Sequence, residues 1–288
     1  MSYFGNVCTA MITPFTMEME IDFHKVTELV NHLIENGTDS IVVAGTTGES
    51  PTLSKEEKLK LFAHVVEVVQ KRVPVIAGTG TNDTASSIEL TKKAESLGVD
   101  AVMLVVPYYN KPSQEGLKAH FTKIASETNL PIMLYNIPGR TGINMTVDTV
   151  VQLSKVPNIV AIKEASGDLT QMGKIIEQTS EDFELYSGDD GLALPVASIG
   201  GVGVVSVASH IVGKELQKML QLYQIGNIKE AATIHRKLLR QVEALFAFPN
   251  PVPLKALLKE MGKDMGPVRL PLVELKEDEL QTIMKRFF

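Results

Sequence analysis

The sequence predicts an α/β protein, a closed (β/α)8 barrel followed by a small C-terminal helical domain. Short apolar runs rich in β-branched residues alternate with amphipathic helical segments, which is the pattern of repeated βαβ units. There are eight such runs, the number of strands in this type of barrel. From about residue 227 the strand-like runs stop and only helical periodicity remains. We therefore expect a barrel domain over 1–226 and a helical domain over 227–288.

Each predicted strand is a short apolar run of the kind covered on both faces in a parallel sheet. In chain order the runs are 7–13, 40–45, 73–78, 101–107, 131–136, 159–165, 183–188 and 203–208. A doubly wound open sheet is the alternative, and it usually carries a glycine fingerprint after its first strand. Here the first strand leads into "TPFTMEMEID", which contains no glycine. The barrel is therefore favoured.

Helix boundary signals fall between the predicted strands. Ser54 and Glu57 have the spacing of a capping box, and Gly37 and Gly98 stand where helices would end in the left-handed conformation. Beyond the barrel, the helix-patterned segments are 228–246, 253–262 and 276–287. The proline-rich segment 248–253 separates the first two, because proline cannot continue a helix.

Composition narrows the class of partner to a small metabolite. The formal net charge of −6 and a pI of about 5.6 disfavour nucleic acid or an anionic membrane as partner, since both need a cationic surface. No run approaches the ~20 apolar residues of a membrane span, and the first ten residues lack the pattern of a signal peptide. Cys8 is the only cysteine, which fits a reducing compartment and a buried structural role. We expect a cytoplasmic protein.

In a barrel of this type the reaction site lies at the carboxyl ends of the strands. Chemically capable residues fall there in this sequence. The segments concerned are "GTTGES" (45–50), "PYYN" (107–110), "YNIPGRTG" (135–142), Lys163 and "SGDD" (187–190). Hydroxyls, tyrosines, an arginine and a lysine are thus predicted to converge on one rim of the barrel.

Lys163 is the unusual residue, because it interrupts the apolar strand "IVAIKEA". One interpretation is a lysine whose stem packs on the barrel while its ammonium reaches water. The other is a buried amine that is neutral often enough to form an imine with a carbonyl substrate. Glu164 points to the opposite face of the strand, since strand side chains alternate, so it need not neutralise the amine.

The neighbouring segments suggest an acidic substrate. Arg140 lies in the turn "PGRTG", and a guanidinium matches a carboxylate in shape and charge, although a solvated loop arginine is the alternative. The amides of "GTTGES" could bind a carboxylate, or form only a turn. Tyr108, Tyr109 and Tyr135 can each donate and accept a hydrogen bond, so with Thr47 they could relay protons, or they could plug the core.

Metal and nucleotide cofactors are not expected. The six histidines are scattered mainly over helix-like segments, without H-E-x-x-H or paired cysteines. "GTGTND" and "IGGVGVV" lack the G-x-G-x-x-G spacing of a dinucleotide site, and there is no phosphate-loop motif. The glycines of "IGGVGVV" are expected to allow close backbone packing around the eighth strand.

The motifs "GTTGES", "PYYNKPSQEG", "LYNIPGRTG", "AIKEASGD" and "YSGDD", in this order, resemble those of the dihydrodipicolinate synthases. The resemblance extends from residue 5 to residue 273, and the combination is far more specific than any single motif. The wider pyruvate-dependent class I aldolase family, including N-acetylneuraminate lyase, shares the barrel and the imine lysine. That lyase activity is the second hypothesis, and a catalytically silent barrel is the third.

The resemblance implies a reaction and a role for several residues. Pyruvate would condense with L-aspartate-4-semialdehyde to 4-hydroxy-tetrahydrodipicolinate, in the first committed step of diaminopimelate and lysine biosynthesis. Lys163 would form the Schiff base with pyruvate, and Thr46 and Thr47 would contact the pyruvate carboxylate. Tyr135 would be the acid/base residue, coupled through Thr47 to Tyr109 in a proton relay.

The resemblance also implies how the second substrate is held and how the chain assembles. Arg140 would bind the carboxylate of the semialdehyde and stabilise Tyr109, which would reach in from a neighbouring subunit. Gly188 and Val205 would line the pocket through their backbones. Family members commonly form a homotetramer, a dimer of dimers, and use no metal or organic cofactor.

One region departs from the lysine-inhibited members of the family. The positions concerned are Ser50, Pro51, Lys55, Lys58, Asn82, Ser86 and Tyr108. Inhibited members have an acidic residue at the position of Ser86 and imidazoles at Lys55 and Lys58. Because the counter-charge is missing and two cations would repel the ammonium of the effector, we expect weak or no inhibition by lysine.

Overall fold

Eight parallel strands form a closed barrel in the structure, a computed structural model that describes residues 2–288. The strands are β1 (Val7–Ala10), β2 (Ser40–Val43), β3 (Val75–Gly78), β4 (Ala101–Val105), β5 (Ile132–Asn136), β6 (Ile159–Glu164), β7 (Glu184–Ser187) and β8 (Gly203–Ser206). Each strand pairs with the next, and β8 pairs with β1. The predicted closed barrel and all eight predicted strand positions are confirmed.

Helices connect the strands and continue beyond the last one. They are α1 (Phe23–Glu35), α2 (Lys55–Val69), α3 (Thr84–Ser96), α4 (Gln114–Ala125), α5 (Pro138–Thr141), α6 (Val147–Leu153), α7 (Leu169–Gln178), α8 (Ala193–Ser198), α9 (Ser209–Gln224), α10 (Ile228–Leu245), α11 (Val252–Glu260) and α12 (Glu277–Phe287). The capping box of Ser54 and Glu57 starts α2, and Gly37 and Gly98 have φ of +94° and +83°. These predicted boundary signals are confirmed.

Two layers of apolar side chains hold the barrel together. An inner cluster fills the barrel and includes Cys8, Met103, Met133 and Tyr186. A larger outer cluster packs the strands against the surrounding helices. Alternation of side chains along each strand supplies both layers, which is why the strand sequences are apolar at almost every position.

Two predictions about single positions in the barrel are confirmed. Cys8 is fully buried, and burial raises the pKa of its thiol to about 12, so it packs as a small apolar side chain. At Gly203 a Cβ would lie 2.0 Å from the carbonyl oxygen of Asn6, so only glycine permits this approach of β8 to the residue that precedes β1.

The C-terminal part is helical where the sequence predicts it. α10 packs against α9 and α12, and the segment 246–251 separates α10 from α11. The division into two domains between residues 226 and 227 stays a prediction. Within residues 2–288, none of the helices is long and apolar enough to cross a membrane.

Candidate active site

A cavity of about 270 Å³ opens at the carboxyl ends of β2 to β5. Its polar lining consists of Thr46, Ser50, Lys58, Thr81, Tyr108, Tyr135, Arg140 and Thr141. Two of these side chains are cationic, and none of the residues in 2–288 that line it is a carboxylate. The cavity therefore suits small anionic molecules, as the acidic substrate predicted from the sequence requires.

Lys163 projects into the barrel from β6 and is only 5% exposed. It stands opposite Tyr135 in the register of β5 and β6, and its Nζ lies 4.1 Å from the centroid of the Tyr135 ring. Tyr135 in turn lines the cavity. The lysine is therefore held inside the barrel, at the end where the cavity opens, and does not reach out into bulk water.

Glu164 lies on the outer face of β6, as the alternation of side chains predicts. Its carboxylate accepts hydrogen bonds from the Asn136 amide at 2.9 Å, the Ser166 backbone N–H at 2.7 Å and the Gln171 amide at 3.2 Å. Burial raises the pKa of this carboxyl group, and the hydrogen bonds oppose that effect. Glu164 thus stabilises the loops on the outer face of β6. It does not lie beside the Lys163 amine, which is inside the barrel.

The "GTTGES" loop is held in an unusual conformation by contacts from far along the chain. Ala44 and Glu49 have positive φ, at +53° and +54°, a conformation that residues other than glycine seldom adopt. The buried Thr47 hydroxyl accepts a hydrogen bond from the Asn250 side-chain amide at 2.9 Å. Thr13 donates its hydroxyl to the Gly48 carbonyl at 2.7 Å. Hydrogen bonds to distant residues therefore fix the conformation of this loop.

Glu49 anchors the same loop through its side chain. Its carboxylate forms an ion pair with the Lys255 ammonium at 2.7 Å and accepts the backbone N–H of Arg269 at 2.8 Å. The side chains of Glu49 and Lys255 are 1% and 4% exposed. Lys255 also donates to the Pro267 carbonyl at 2.8 Å and lies over the Phe15 ring. The C-terminal part of the chain is thus joined to a loop of the site.

Arg140 lies in the short helix α5, exposed at the mouth of the cavity. Behind it, the Asn136 side chain donates to Asn144 at 2.7 Å and accepts the Met145 backbone N–H at 3.0 Å. The loop that carries the guanidinium is therefore tied to the end of β5. Arg140, Thr46 and Tyr135 share one cavity.

Tyr109 lies on the surface of the chain. It is 89% exposed, has a φ of +73°, and is not among the residues that line the cavity, whereas the neighbouring Tyr108 is. Within one chain, the structure does not bring Tyr109 into the same cavity as Tyr135.

Gly188 and Val205 lie near the ends of β7 and β8. The Gly188 N–H donates to the Glu164 carbonyl at 2.8 Å, and a Cβ at Gly188 would lie 2.5 Å from the Cβ of Ala165. Val205 is buried in the cluster inside the barrel that also contains Tyr135. Val205 therefore faces the interior that Lys163 enters, and Gly188 lies where β6 and β7 approach each other closely.

Sequence reasoning assigned no supporting contact to three residues that make one in the structure: Asn250, Lys255 and Asp190. Asp190 is buried and accepts hydrogen bonds from Ser206 and from the backbone N–H groups of Val207 and Ala208. Burial raises the pKa of its carboxyl group. The doubled aspartate of "SGDD" was a signal for this role, because a carboxylate at a strand end can cap the next loop.

Known proteins resemble this chain over almost its whole length. The model of the dihydrodipicolinate synthetase family matches residues 3–287. The 4-hydroxy-tetrahydrodipicolinate synthase of Bacillus subtilis (strain 168) is 61% identical over 277 residues, which cover 96% of this chain and 96% of that protein. The protein of the same name from Bacillus velezensis is 60% identical over 275 residues, covering 96% of this chain and 95% of the relative.

Solved structures agree with the sequence comparison. A dihydrodipicolinate synthase of Bacillus anthracis has a TM-score of 0.96 and 58% identity, covering 99% of both chains. A lysine-bound dihydrodipicolinate synthase of Cyanidioschyzon merolae has a TM-score of 0.97 and 50% identity, covering 100% of this chain and 99% of that one. The resemblance inferred from the five motifs is confirmed, and the chain belongs to the dihydrodipicolinate synthetase family.

Proposed function

We propose that this chain condenses pyruvate with L-aspartate-4-semialdehyde to give 4-hydroxy-tetrahydrodipicolinate, with Lys163 as the residue that forms the Schiff base. Curated relatives 60% and 61% identical to it carry the name of that synthase. The observation that carries the assignment of Lys163 is its place in the fold. It is a buried amine inside a closed barrel, beside a tyrosine that lines an anion-suited cavity.

The chemistry begins at the Lys163 Nζ. The neutral amine adds to the carbonyl carbon of pyruvate, and loss of water leaves an iminium ion. The iminium withdraws electrons from the pyruvate methyl group, which loses a proton to form an enamine. The enamine carbon then bonds to the aldehyde carbon of the second substrate, and the amine of that substrate displaces Lys163 as the ring closes. These steps balance without a metal or an organic cofactor.

Tyr135 is the acid/base residue in this proposal. Its ring lies against the Lys163 Nζ, so the hydroxyl is carried by a side chain already in contact with the reacting nitrogen. The backbone and hydroxyls of Thr46 and Thr47 hold the pyruvate carboxylate, and Thr47 passes protons between Tyr135 and Tyr109. The fixed conformation of the "GTTGES" loop supports this role, because preorganised donors stabilise developing charge without rearrangement.

The remaining residues of the proposal select and enclose the substrates. Arg140 binds the carboxylate of the semialdehyde at the mouth of the cavity, where a planar guanidinium can make two parallel hydrogen bonds. Gly188 and Val205 line the pyruvate side through their backbones. The absence of a Cβ at Gly188 leaves the backbone of β6 and β7 close together there.

Tyr109 completes the site of a neighbouring subunit in this proposal. Its 89% exposure and positive φ support that role, since a large exposed aromatic in a strained backbone is poorly explained within a single chain. We propose a homotetramer built as a dimer of dimers, in the cytoplasm.

Borohydride trapping tests the proposal directly. The protein is incubated with pyruvate and sodium borohydride, digested, and mapped by mass spectrometry. We expect the reduced pyruvate adduct on the peptide that contains Lys163, and no adduct in Lys163→Ala. An unmodified Lys163 in the wild-type protein would overturn the proposed function. Assays with aspartate-4-semialdehyde and with the aldehyde of N-acetylneuraminate lyase distinguish the two aldolase activities.

A further inference from the structure

Asn250 is a buried amide that the proposed mechanism does not yet use. It lies between α10 and α11, is 8% exposed, and donates from Nδ2 to the Thr47 Oγ1 at 2.9 Å. The two residues are 203 positions apart in the sequence. The contact therefore joins the C-terminal helices to the hydroxyl that the proposed relay requires.

The direction of this hydrogen bond constrains the threonine. A threonine hydroxyl has one proton to donate and lone pairs to accept with. With an amide N–H on one lone pair, the hydroxyl proton of Thr47 remains available for a different acceptor, such as a tyrosine oxygen. An acceptor at position 250 would instead attract that proton and turn it away from the relay.

The other half of the Asn250 amide makes no competing contact of this kind. Among residues 2–288, the buried Oδ1 of Asn250 has no hydrogen-bond partner in the protein. The contact that orients this side chain in the structure is therefore the donation from Nδ2 to the Thr47 hydroxyl at 2.9 Å.

The helix that follows Asn250, α11, fixes the loop at a second point. Lys255, one turn into α11, is ion-paired with Glu49 at 2.7 Å, two residues after Thr47. The start of α11 is therefore held against the "GTTGES" loop at Glu49, and Asn250 contacts the same loop at Thr47. This double attachment limits how far the Asn250 amide and the Thr47 hydroxyl can drift apart.

We propose that Asn250 is a positioning residue, which donates to Thr47 and thereby directs the Thr47 proton toward the acid/base tyrosine. The inference rests on the proposed function, because it assigns a role within the same proton relay. Asn250 acts through Thr47 and needs no contact with substrate. The role concerns proton transfer, so it affects the deprotonation of bound pyruvate more than the formation of the Schiff base.

The experiment measures two steps separately in Asn250→Asp and Asn250→Ala. One is the exchange of pyruvate methyl protons in D2O without aldehyde, which reports enamine formation. The other is borohydride trapping of pyruvate on Lys163, which reports the Schiff base. We expect exchange to slow by about 10- to 100-fold in both variants, since misplaced catalytic groups lose rate on this scale. Trapping is expected to stay within about threefold, because the amine is untouched.

Two controls separate positioning from a general structural effect. Asn158→Asp makes the same chemical change at the opposite end of the barrel, where the Asn158 amide donates to the carbonyls of Ala125 and Thr128. It should leave exchange unchanged even where it lowers the melting temperature. In a Thr47→Val background, Asn250→Ala should slow exchange no further, because the group that it positions is gone.

Three results would overturn the positioning role, and one would overturn the proposed function. Wild-type exchange in Asn250→Asp, or an equal loss from Asn250→Ala with and without Thr47→Val, overturns the positioning role. Equal loss of trapping and exchange overturns it as well, since that is the pattern of a disordered site. A wild-type protein that traps no pyruvate at all would instead overturn the proposed function.

Discussion

Lys163 and Tyr135 face each other on neighbouring strands, with the lysine Nζ 4.1 Å from the centre of the tyrosine ring. A positive charge on Nζ, or on an iminium formed there, would be attracted by the ring face. One strand pair thus supplies both a candidate nucleophile and a candidate proton donor. The register of β5 and β6 sets their separation.

Tyr135→Phe isolates the hydroxyl from the ring. The variant keeps the aromatic contact with Lys163 and loses only the proton donor, so we expect kcat to fall by about 10²- to 10⁴-fold, the range of general acid–base catalysis. Steady-state kinetics with both substrates measures the loss, and circular dichroism checks the fold. An activity within a few-fold of the wild type would remove Tyr135 from its assigned role.

Arg140→Ala tests which substrate the guanidinium binds. A lost hydrogen bond to a charged group is worth ~1.5–3 kcal/mol, so kcat/KM for the semialdehyde should fall by about 10- to 150-fold. The KM for pyruvate should change little. Arg140→Lys keeps the charge without the planar fork, so its kcat/KM for the semialdehyde should lie between those of the wild type and Arg140→Ala. A rise in the pyruvate KM as large as that for the aldehyde would contradict the assignment.

The barrel and the rim residues were predictable because both depend on local pattern. Apolar runs at regular spacing specify strands, and parallel closure brings every strand end to one rim, so Lys163, Tyr135 and Arg140 could be placed before their contacts were known. The alternation of side chains also assigned Lys163 and Glu164 to opposite faces.

The supporting contacts were not predictable by the same means. Asn250 and Lys255 lie 203 and 206 residues from the loop positions they bind. Lys255 belongs to the helical pattern "PLKALLKE", in which a lysine is ordinarily solvated. Helical periodicity shows which side of a helix is apolar, but the residue it meets depends on how α11 docks on the barrel. That docking is a long-range property of the fold.

Breaking the Glu49–Lys255 ion pair should strongly destabilise the protein. Lys255→Met leaves the Glu49 carboxylate buried without its counter-ion, which costs ~3–5 kcal/mol in the free energy of unfolding. In Glu49→Gln/Lys255→Met neither charge is left unpaired, so the loss should be smaller than the sum of the single losses. Denaturant unfolding of the wild type, the two single variants and the double variant measures these losses. Additive losses would mean that the pair has no coupling.

His210 should make the protein less stable in mild acid. Its neutral ring donates from Nδ1 to the Val207 carbonyl at 2.8 Å and accepts the Ile12 N–H at Nε2 at 3.2 Å. Burial is the main reason that its pKa falls from 6.5 to about 4, and the nearby His32 lowers it further. Between these values the unfolded chain binds a proton that the folded chain does not. Stability therefore falls as the pH drops through this window, by ~3 kcal/mol.

Comparison with His210→Gln isolates that contribution from other titrating groups. The variant has no imidazole to protonate, so its free energy of unfolding should depend less on pH between 6.5 and about 4. Urea unfolding of each protein at pH 7 and at the acid end of the window gives the change in its free energy of unfolding between these two pH values. If wild type and variant lose the same stability between these pH values, His210 is not the titrating group.

Weak inhibition by lysine is the last expectation, and in the structure it depends mainly on Lys58, because Lys55 is ion-paired with Glu89 at 2.6 Å. Ser50, Pro51, Lys58 and Tyr108 line the same cavity, and the Asn82 amide donates to the Tyr108 carbonyl at 3.3 Å. Burial lowers the pKa of Lys58, and no opposing cause accompanies that shift. A second ammonium brought beside this half-buried lysine would be repelled.

We therefore expect half-inhibition only above millimolar lysine, measured with both substrates near their KM. The matched variant Lys55→His/Lys58→His/Ser86→Glu removes the two cations and adds a carboxylate, so it should bind the effector ammonium and be inhibited at lower lysine concentration. Lys60→His, an exposed change on the same helix, should not shift the inhibition. Submillimolar half-inhibition of the wild-type protein would show that the two lysines do not exclude the effector, and that charge at these positions does not decide its binding.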